Sequence, residues 1–286
     1  MVMNDFEIQA CSALAHLTLS VGPEGAELEG RPVQCLRLSD AAAPALEKAL
    51  AEVPVGCGRV VGRGIDEAQQ QFVLVLERGR FLQDAAADEG PGSIEALGER
   101  AADWQGRHTA AVLPAGEGYR RGVLQQQMRE RADALVATLD DGTRAILDAE
   151  LHHQGLYRFE DLPLAGSYWQ SVRVYPEGAG LADLVVPPAP VPAFWQLARI
   201  ALAVAVDAEG RPDATRYRAL LDGYNGRRPL TAIERGAAPT MLRLAALDDW
   251  LAVLEGGSGG ERERDRLANL QAEAARLQGV WIRAAA

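Results

Sequence analysis

The chain has 286 residues, of which 48% are hydrophobic and 24% charged, so it is long enough to bury one large core or two modest ones. Asp and Glu total 40 against 29 Lys and Arg, and the net charge of −11 argues against nucleic acid or an anionic membrane as the partner. Residues 1–10 lack the cationic start of a signal peptide, and no apolar run reaches membrane-spanning length, so we expect a cytoplasmic protein.

The N-terminal third is predicted to form strands and one helix. Alternating patterns over Ala15–Val21 and Val33–Leu38 predict a hairpin whose loop contains the turn Gly22–Gly25. Asp40 can cap a helix over Pro44–Glu52, which carries a proline in its first turn. Two further strands follow, and the apolar run of the second is typical of a buried central strand: Arg59–Arg63 and Phe72–Glu77.

The middle of the chain changes character after a polar, glycine-rich connection at Gly79–Gly92. Ser93 can cap a helix there, and a long helix is predicted over Val123–Leu139. Glycines and prolines punctuate Asp140–Pro176, which favours a turn-rich β segment, and the proline-rich stretch Leu181–Pro192 should be extended. Later segments are predicted to be helical: Phe194–Val206, Ala214–Tyr224, Thr231–Leu254 and Glu261–Arg283.

The three cysteines, Cys11, Cys35 and Cys57, are odd in number and share no metal-ligand spacing. A disulfide scaffold and a zinc ribbon are therefore both disfavoured, and a reducing cytoplasm fits this usage. The adjacent His152 and His153 would point to opposite sides of a strand, so they cannot both bind one metal ion there. We predict no metal site from these residues.

A late segment of the sequence resembles one family. Tyr224–Thr231, with Glu234 three residues after Thr231 and Met241-Leu242-Arg243 in the helix that follows, is similar to the homoserine kinases of the aminoglycoside-phosphotransferase-like group. Taken by itself, this segment is a helix end followed by a capping box. Earlier segments resemble the same family in the same order: Phe72–Glu77, Ile94–His108, Leu147–Leu151 and Leu156–Gly166.

The resemblance implies an α+β, two-lobed protein-kinase-like fold with a small β-rich N-lobe and a mostly helical C-lobe. We place the N-lobe at residues 1–79 and the C-lobe at 80–255. Residues 256–286 then form a flexible linker and a C-terminal helix.

The resemblance also implies which residues would handle ATP. Arg37 matches the basic residue that binds the phosphates in this family, and Glu47 on the following helix would be its ion-pair partner. A guanidinium binds phosphate with a different geometry from an ammonium group. The alternative is that Arg37 and Glu47 are an ordinary exposed pair of side chains on a strand and a helix.

The segment that matches the family's catalytic loop differs from the family at each position that takes part in catalysis or metal binding. The family has a His-x-Asp sequence and then an Asn that holds Mg²⁺, whereas this chain has Asp148, Glu150 and Gly155. Glu150 is the candidate base, but its extra methylene would displace the carboxylate, and a 1 Å error costs about a hundredfold in rate. The family's next metal-binding Asp falls on Trp169, and a later structural Asp falls on Gln196.

These departures lead to two hypotheses about function. The first is a catalytically impaired member of the family that acts as a binding or regulatory protein, with no cofactor expected. The second is a divergent but active ATP-dependent phosphotransferase for a small alcohol, which would require ATP and Mg²⁺. The partner, a protein or a small molecule, is not specified by these residues.

The last helix carries an apolar stripe that must be buried somewhere. Because the linker at Gly256–Gly260 is short, we expect the stripe to dock on the chain's own helical lobe, with a homodimer as the second choice. The stripe consists of Leu267, Leu270, Ala274, Leu277 and Trp281.

Overall fold

A computed structural model describes residues 5–22, 25–39, 60–69, 71–81, 91–112, 122–157, 162–175, 178–207, 210–257 and 259–283. The chain divides into two compact units: the first comprises Met1–Ser93 and Ser167–Ala189, and the second comprises Ile94–Gly166 and Pro190–Ala286. The domain limits predicted from the sequence follow chain order, whereas these units do not, because residues 167–189 group with the N-terminal segment. None of the described helices is long and apolar enough to cross a membrane.

The first unit contains a five-stranded antiparallel sheet of β1 Leu19–Gly22, β2 Gly25–Leu28, β3 Arg31–Ser39, β4 Val60–Asp66 and β5 Gln71–Glu77. Its strand order is β1-β2-β3-β5-β4. Strand β5 lies between β3 and β4, and residues 73–76 within it are at most 1% exposed, which confirms the prediction of a central buried strand. The predicted helix at Pro44–Glu52 and Cys57 lie outside the described residues. Helix α1 Asp5–Leu14 precedes these strands in the chain, and the short strand β6 Arg80–Phe81 follows them.

Helix α1 corrects the prediction of a strand over Ala15–Val21, of which only Leu19–Gly22 is extended. Ile8, Cys11 and Ala15 recur at helical spacing and pack on the sheet residues Ala26, Val33, Val73 and Val75. The first hairpin therefore joins β1 to β2, not to the strand at Val33–Leu38.

Helix α1 approaches β4 closely because of a glycine. A Cβ atom at Gly64 would overlap the carbonyl oxygen of Leu14 and come within 2.9 Å of the Ala15 nitrogen. Any larger residue at position 64 would push the helix off the sheet.

A second sheet of three strands, in the order β6-β7-β8, contains β7 Leu164–Tyr175 and β8 Gly178–Pro192. These strands confirm the extended prediction for Leu181–Pro192. The β prediction is wrong for the first half of Asp140–Pro176, which forms a helix over Asp141–Gly155. The Asp140 side chain caps that helix by accepting a 3.0 Å hydrogen bond from the Thr143 amide.

The second unit is helical, and its longest helix is buried along most of its length. This helix begins with the capping box that the sequence predicted, in which Thr231 and Glu234 exchange hydrogen bonds. The described helices that lie wholly in this unit, or mostly in it in the case of α2, are α2 Pro91–Val112, α3 Gly122–Leu135, α4 Asp141–Gly155, α5 Ala193–Val204, α6 Ala214–Arg227, α7 Ala232–Glu255, α8 Glu261–Ala272 and α9 Ala274–Arg283.

The predicted C-terminal helix is two helices, α8 and α9, and both pack on α7. Leu267, Leu270 and Leu277 are at most 1% exposed, so the predicted intramolecular docking of the apolar stripe is confirmed for these residues. A hydrogen bond also fixes α9: Pro239 has no amide to bond the Arg235 carbonyl, and the Gln278 Nε2 donates to that carbonyl at 3.2 Å instead.

Candidate functional site

Glu150, the candidate base, lies inside the helical unit and is 0% exposed. Its Oε2 accepts hydrogen bonds from the Arg243 guanidinium on α7 and from the Gln271 Nε2 on α8, the latter at 2.8 Å. Its Oε1 accepts a 2.7 Å hydrogen bond from the Gln154 Nε2, which also donates to the Thr240 carbonyl at 3.2 Å. The carboxylate therefore joins three helices through a buried ion pair.

The other positions of the implied catalytic loop lie on the same helix. Asp148 is exposed on α4, and Gly155 is the last residue of that helix. His153, in the last turn, has its pKa lowered by partial burial and by the Arg243 guanidinium, with Glu150 acting in the opposite direction. Among the described residues, no group of three acidic, cysteine or histidine side chains is placed to hold a metal ion.

Arg37 lies in β3, as predicted, and its guanidinium faces a turn of its own unit. Its Nη1 forms an ion pair with Asp66 at 3.1 Å and donates to Gln69 at 3.3 Å. The expected partner Glu47 lies outside the described residues, so the Arg37–Glu47 pair stays a prediction. Trp169 lies in β7.

Gln196, the position matched to the family's structural Asp, lies in the first turn of α5 and is buried. Gln105 on α2 donates through its Nε2 to the Ala193 carbonyl at 3.0 Å and to the Gln196 Oε1 at 3.5 Å. The Gln105 Oε1 accepts from the Tyr224 hydroxyl, which in turn accepts from the Arg228 Nη1 at 2.9 Å. A buried polar chain thus connects α2, α5 and α6.

The late segment that resembles the homoserine kinases supplies the end of this chain. Arg228 forms a 2.8 Å ion pair with Glu234, the fully buried member of the capping box of α7. Burial raises the pKa of Tyr224, so its hydroxyl stays neutral as a hydrogen-bond donor and acceptor. The segment therefore fixes how α6 leads into α7, and its role here is structural.

An open cavity of about 520 Å³ lies between α3, α5 and α7 of the helical unit. Its apolar surface comes from the nearly buried side chains of Leu124, Met128 and Trp195. Its polar surface carries three carboxylates and one guanidinium: Glu130, Asp248, Glu255 and Arg131. The combination of an apolar wall with a few charged groups is typical of a small-molecule site.

The charged wall of this cavity is held in place by Arg131. Its Nε and Nη2 bind both oxygens of Glu255 at 2.7 and 2.9 Å, and its Nη1 binds Asp248 at 2.5 Å. The second oxygen of Asp248 binds the Arg199 Nη1 at 2.6 Å. The Arg131 guanidinium lowers the pKa of Glu255, which keeps that carboxylate ionised.

Sequence reasoning missed this cavity because its residues come from three separate helices. Arg131 and Glu255 are far apart in the chain, and neither belongs to a recognisable motif. The Asp248-Asp249-Trp250 sequence offered a weak signal, since two acids beside a buried tryptophan in an apolar helix require partners.

Comparison with known proteins gives sequence relatives of one activity. No family model matches the chain. It is 34% identical over 164 residues to a homoserine kinase of Methylobacillus flagellatus, covering 52% of this chain and 49% of the relative. It is 30% identical over 199 residues to a homoserine kinase of Pseudomonas aeruginosa, covering 68% of this chain and 56% of the relative. The chain thus spans about half the length of the curated relatives it matches.

Comparison with solved structures extends the likeness to the whole chain. A choline/ethanolamine kinase family protein from Mesorhizobium loti superimposes with a TM-score of 0.60 at 16% identity, covering 97% of this chain and 98% of that one. At this identity the likeness shows a shared fold. It confirms the two-lobed α+β fold that the sequence resemblance implied.

Proposed function

We propose that the chain is an impaired member of the protein-kinase-like phosphotransferases and acts as a binding or regulatory protein for a small molecule. Its sequence relatives are homoserine kinases, and it shares the fold of a choline/ethanolamine kinase family protein. The carrying observation is the environment of Glu150. A carboxylate that is 0% exposed and bonded to Arg243, Gln154 and Gln271 is not accessible to an acceptor hydroxyl.

Two sequence features, placed by the same resemblance as Glu150, also support impairment. The position expected to bind Mg²⁺ through an Asn side chain is Gly155, and the position expected to bind it through an Asp is Trp169. Mg²⁺ requires oxygen ligands, which neither side chain supplies. Without the metal, the charge that develops on the transferred phosphoryl group is not neutralised.

The ligand we propose is a small molecule with an ammonium group and an apolar body, bound in the cavity between α3, α5 and α7. Arg131 and Arg199 bind Glu255 and Asp248, and Glu130 adds a further carboxylate to the polar wall, which favours a cation. The apolar wall, which includes Met128 and Trp195, suits the body of the ligand. Homoserine, choline and ethanolamine, named for the similar proteins, all combine an amine or ammonium group with a hydroxyl.

Nucleotide binding and turnover test the impairment. With Mg²⁺-ATP and L-homoserine, we expect ADP release no faster than in the absence of acceptor, while the Pseudomonas aeruginosa homoserine kinase turns over in parallel. In calorimetry, Mg²⁺ should not strengthen ATP binding. Mg²⁺-dependent binding of ATP with a Kd below about 100 μM, a total binding free energy of about −5.5 kcal/mol or better, would contradict the proposal.

Binding of amines tests the cavity. Calorimetry with L-homoserine, choline and ethanolamine should detect at least one of them, and Glu130→Gln should weaken its binding by about tenfold through loss of one charged contact. Glu130 is exposed and accepts a 2.8 Å hydrogen bond from the Gln126 Nε2 on its own helix, so the fold should tolerate the change. Glu261→Gln, an exposed carboxylate on α8, is the matched control and should bind like the original chain.

The second candidate is a divergent, active ATP-dependent phosphotransferase for a small alcohol. It is favoured by the identity of the sequence relatives, which are homoserine kinases. The turnover assay separates the two candidates. Acceptor-dependent ADP release that survives Glu150→Gln would favour the active enzyme and place its base elsewhere in the chain.

A further inference from the structure

Two cysteines far apart in the sequence meet in the core of the first unit. Cys11 lies on α1 and is 0% exposed, and Cys35 lies on β3 and is half-buried. Both belong to the cluster that joins α1 to the sheet, and both are free thiols. Cys35 lies opposite Val75 in the sheet, and both pack in the cluster that Cys11 joins from α1, so the two thiols lie together at the contact between helix and sheet.

We propose that Cys11 and Cys35 form a redox-active dithiol, a modification site that is oxidised to a disulfide by a small peroxide and restored by a small dithiol. The pairing stands on geometry: a helix and a strand of the same unit bring the two cysteines into one cluster. It is independent of the function proposed for the helical unit, because no residue of that unit takes part.

A cation makes this pair more reactive than ordinary buried thiols. Val33, Cys35 and Arg37 alternate along β3 and so share one face of the sheet. The hydrogen bond from Cys35 and the Arg37 guanidinium lower the pKa of Cys11 to about 7, against burial and the Glu7 carboxylate, which act to raise it. The same hydrogen bond and burial raise the pKa of Cys35. One thiolate and one thiol therefore share a proton near neutral pH.

The oxidation balances with peroxide as the only co-reactant. The Cys11 thiolate attacks one peroxide oxygen, the O–O bond breaks, and the leaving hydroxide takes the Cys35 proton to form water. The Cys35 thiolate then attacks the Cys11 sulfenic sulfur, the S–O bond breaks, and the second hydroxide takes a proton from solvent. Two thiols are oxidised to one disulfide, and one peroxide is reduced to two waters.

Access to the pair is from the side of Cys35, the half-buried partner. A peroxide is small enough to enter where Cys35 reaches the surface, whereas a bulky alkylating reagent is not expected to reach Cys11 in the folded chain. The disulfide would tie α1 covalently to β3.

The test is hydrogen peroxide treatment of the intact, reduced chain, followed by intact mass and peptide mapping. We expect the loss of two hydrogen atoms, loss of two of the three thiols to a thiol reagent after denaturation, and a peptide that links Cys11 to Cys35. Dithiothreitol should restore all three thiols. Retention of all three thiols, a link that involves Cys57, or a disulfide between two chains would each overturn the proposal.

Variants separate the roles of the two sulfurs. Cys57→Ser is the control and should oxidise like the original chain. Cys35→Ser should trap a sulfenic acid on Cys11 that dimedone captures, since its resolving thiol is gone. Arg37→Met should shift the pH midpoint of peroxide oxidation upward, and an unchanged midpoint would contradict the role given to Arg37. The result with the original chain decides the pairing even if a variant does not fold.

Discussion

Replacing Glu150 by alanine is expected to lower the melting temperature of the protein by about 10 °C, because it leaves a buried guanidinium without its partner. Arg243 is only 12% exposed in its side chain, and its ion pair with Glu150 lies against Gln154 and Gln271. Breaking one side of a buried pair costs about 3–5 kcal/mol, since the remaining charge stays desolvated. A thermal melt followed by circular dichroism measures the shift.

Asp148→Asn is the matched control for this experiment. Asp148 is an acidic residue of the same helix, but it is exposed. The melting temperature of the Asp148→Asn variant should therefore stay within about 1 °C of that of the unsubstituted protein. The double variant Glu150→Leu with Arg243→Met should melt higher than Glu150→Ala, because it removes both charges and keeps the volume. A melting temperature for Glu150→Ala equal to that of Asp148→Asn would show that Glu150 is not structural and would return it to the list of candidate bases.

A comparison of strand β5 with helix α4 shows why one prediction succeeded and the other failed. Phe72–Glu77 is recognisable because its central residues are all apolar and all buried. The buried face of α4 consists of Leu147, Glu150, Leu151 and Gln154, which have helical spacing but include two polar residues. Such a face is stable only because α7 and α8 supply partners for its carboxylate and amide, and that information is not local to the segment.

The fold could be predicted because the resemblance depends on the order of many segments. The candidate cavity and the cysteine pair could not, because each depends on residues that only the tertiary structure brings together. Arg131 on one helix contacts Glu255 on another, and Cys11 on a helix and Cys35 on a strand meet in one cluster. A metal-ligand spacing search among cysteines detects local motifs and does not detect a pair of this kind.

Gly98→Ala is expected to lower the melting temperature of the protein by about 8 °C, although alanine has a higher helix propensity than glycine. A Cβ atom there would overlap the Leu220 carbonyl oxygen and lie 2.9 Å from the Tyr224 nitrogen, so α2 and α6 meet backbone to backbone at this point. Backbone atoms cannot change rotamer, and the helices must separate, which costs about 1–3 kcal/mol or more beyond the propensity gain of about 1 kcal/mol.

Gly226 provides the control on α6, because a Cβ atom at that position meets nothing within 4 Å. Gly226→Ala should raise the melting temperature by a few degrees, since only the propensity gain of about 1 kcal/mol remains. An increase in melting temperature for Gly98→Ala as well would contradict the close backbone contact of α2 and α6 at Gly98.

A second glycine, Gly223, lies at the same crossing of α2 and α6 and allows a further test of the contact. A Cβ atom at Gly223 would overlap the Glu95 carbonyl oxygen, so each helix contributes one glycine to the contact. Gly223→Ala alone should destabilise as much as Gly98→Ala. The double variant should lose less free energy of unfolding than the two single variants lose together, because the helix separation forced by the first methyl group already makes room for the second. Strict additivity of the two losses in free energy of unfolding, measured by urea denaturation, would mean that the two glycines do not share one interface.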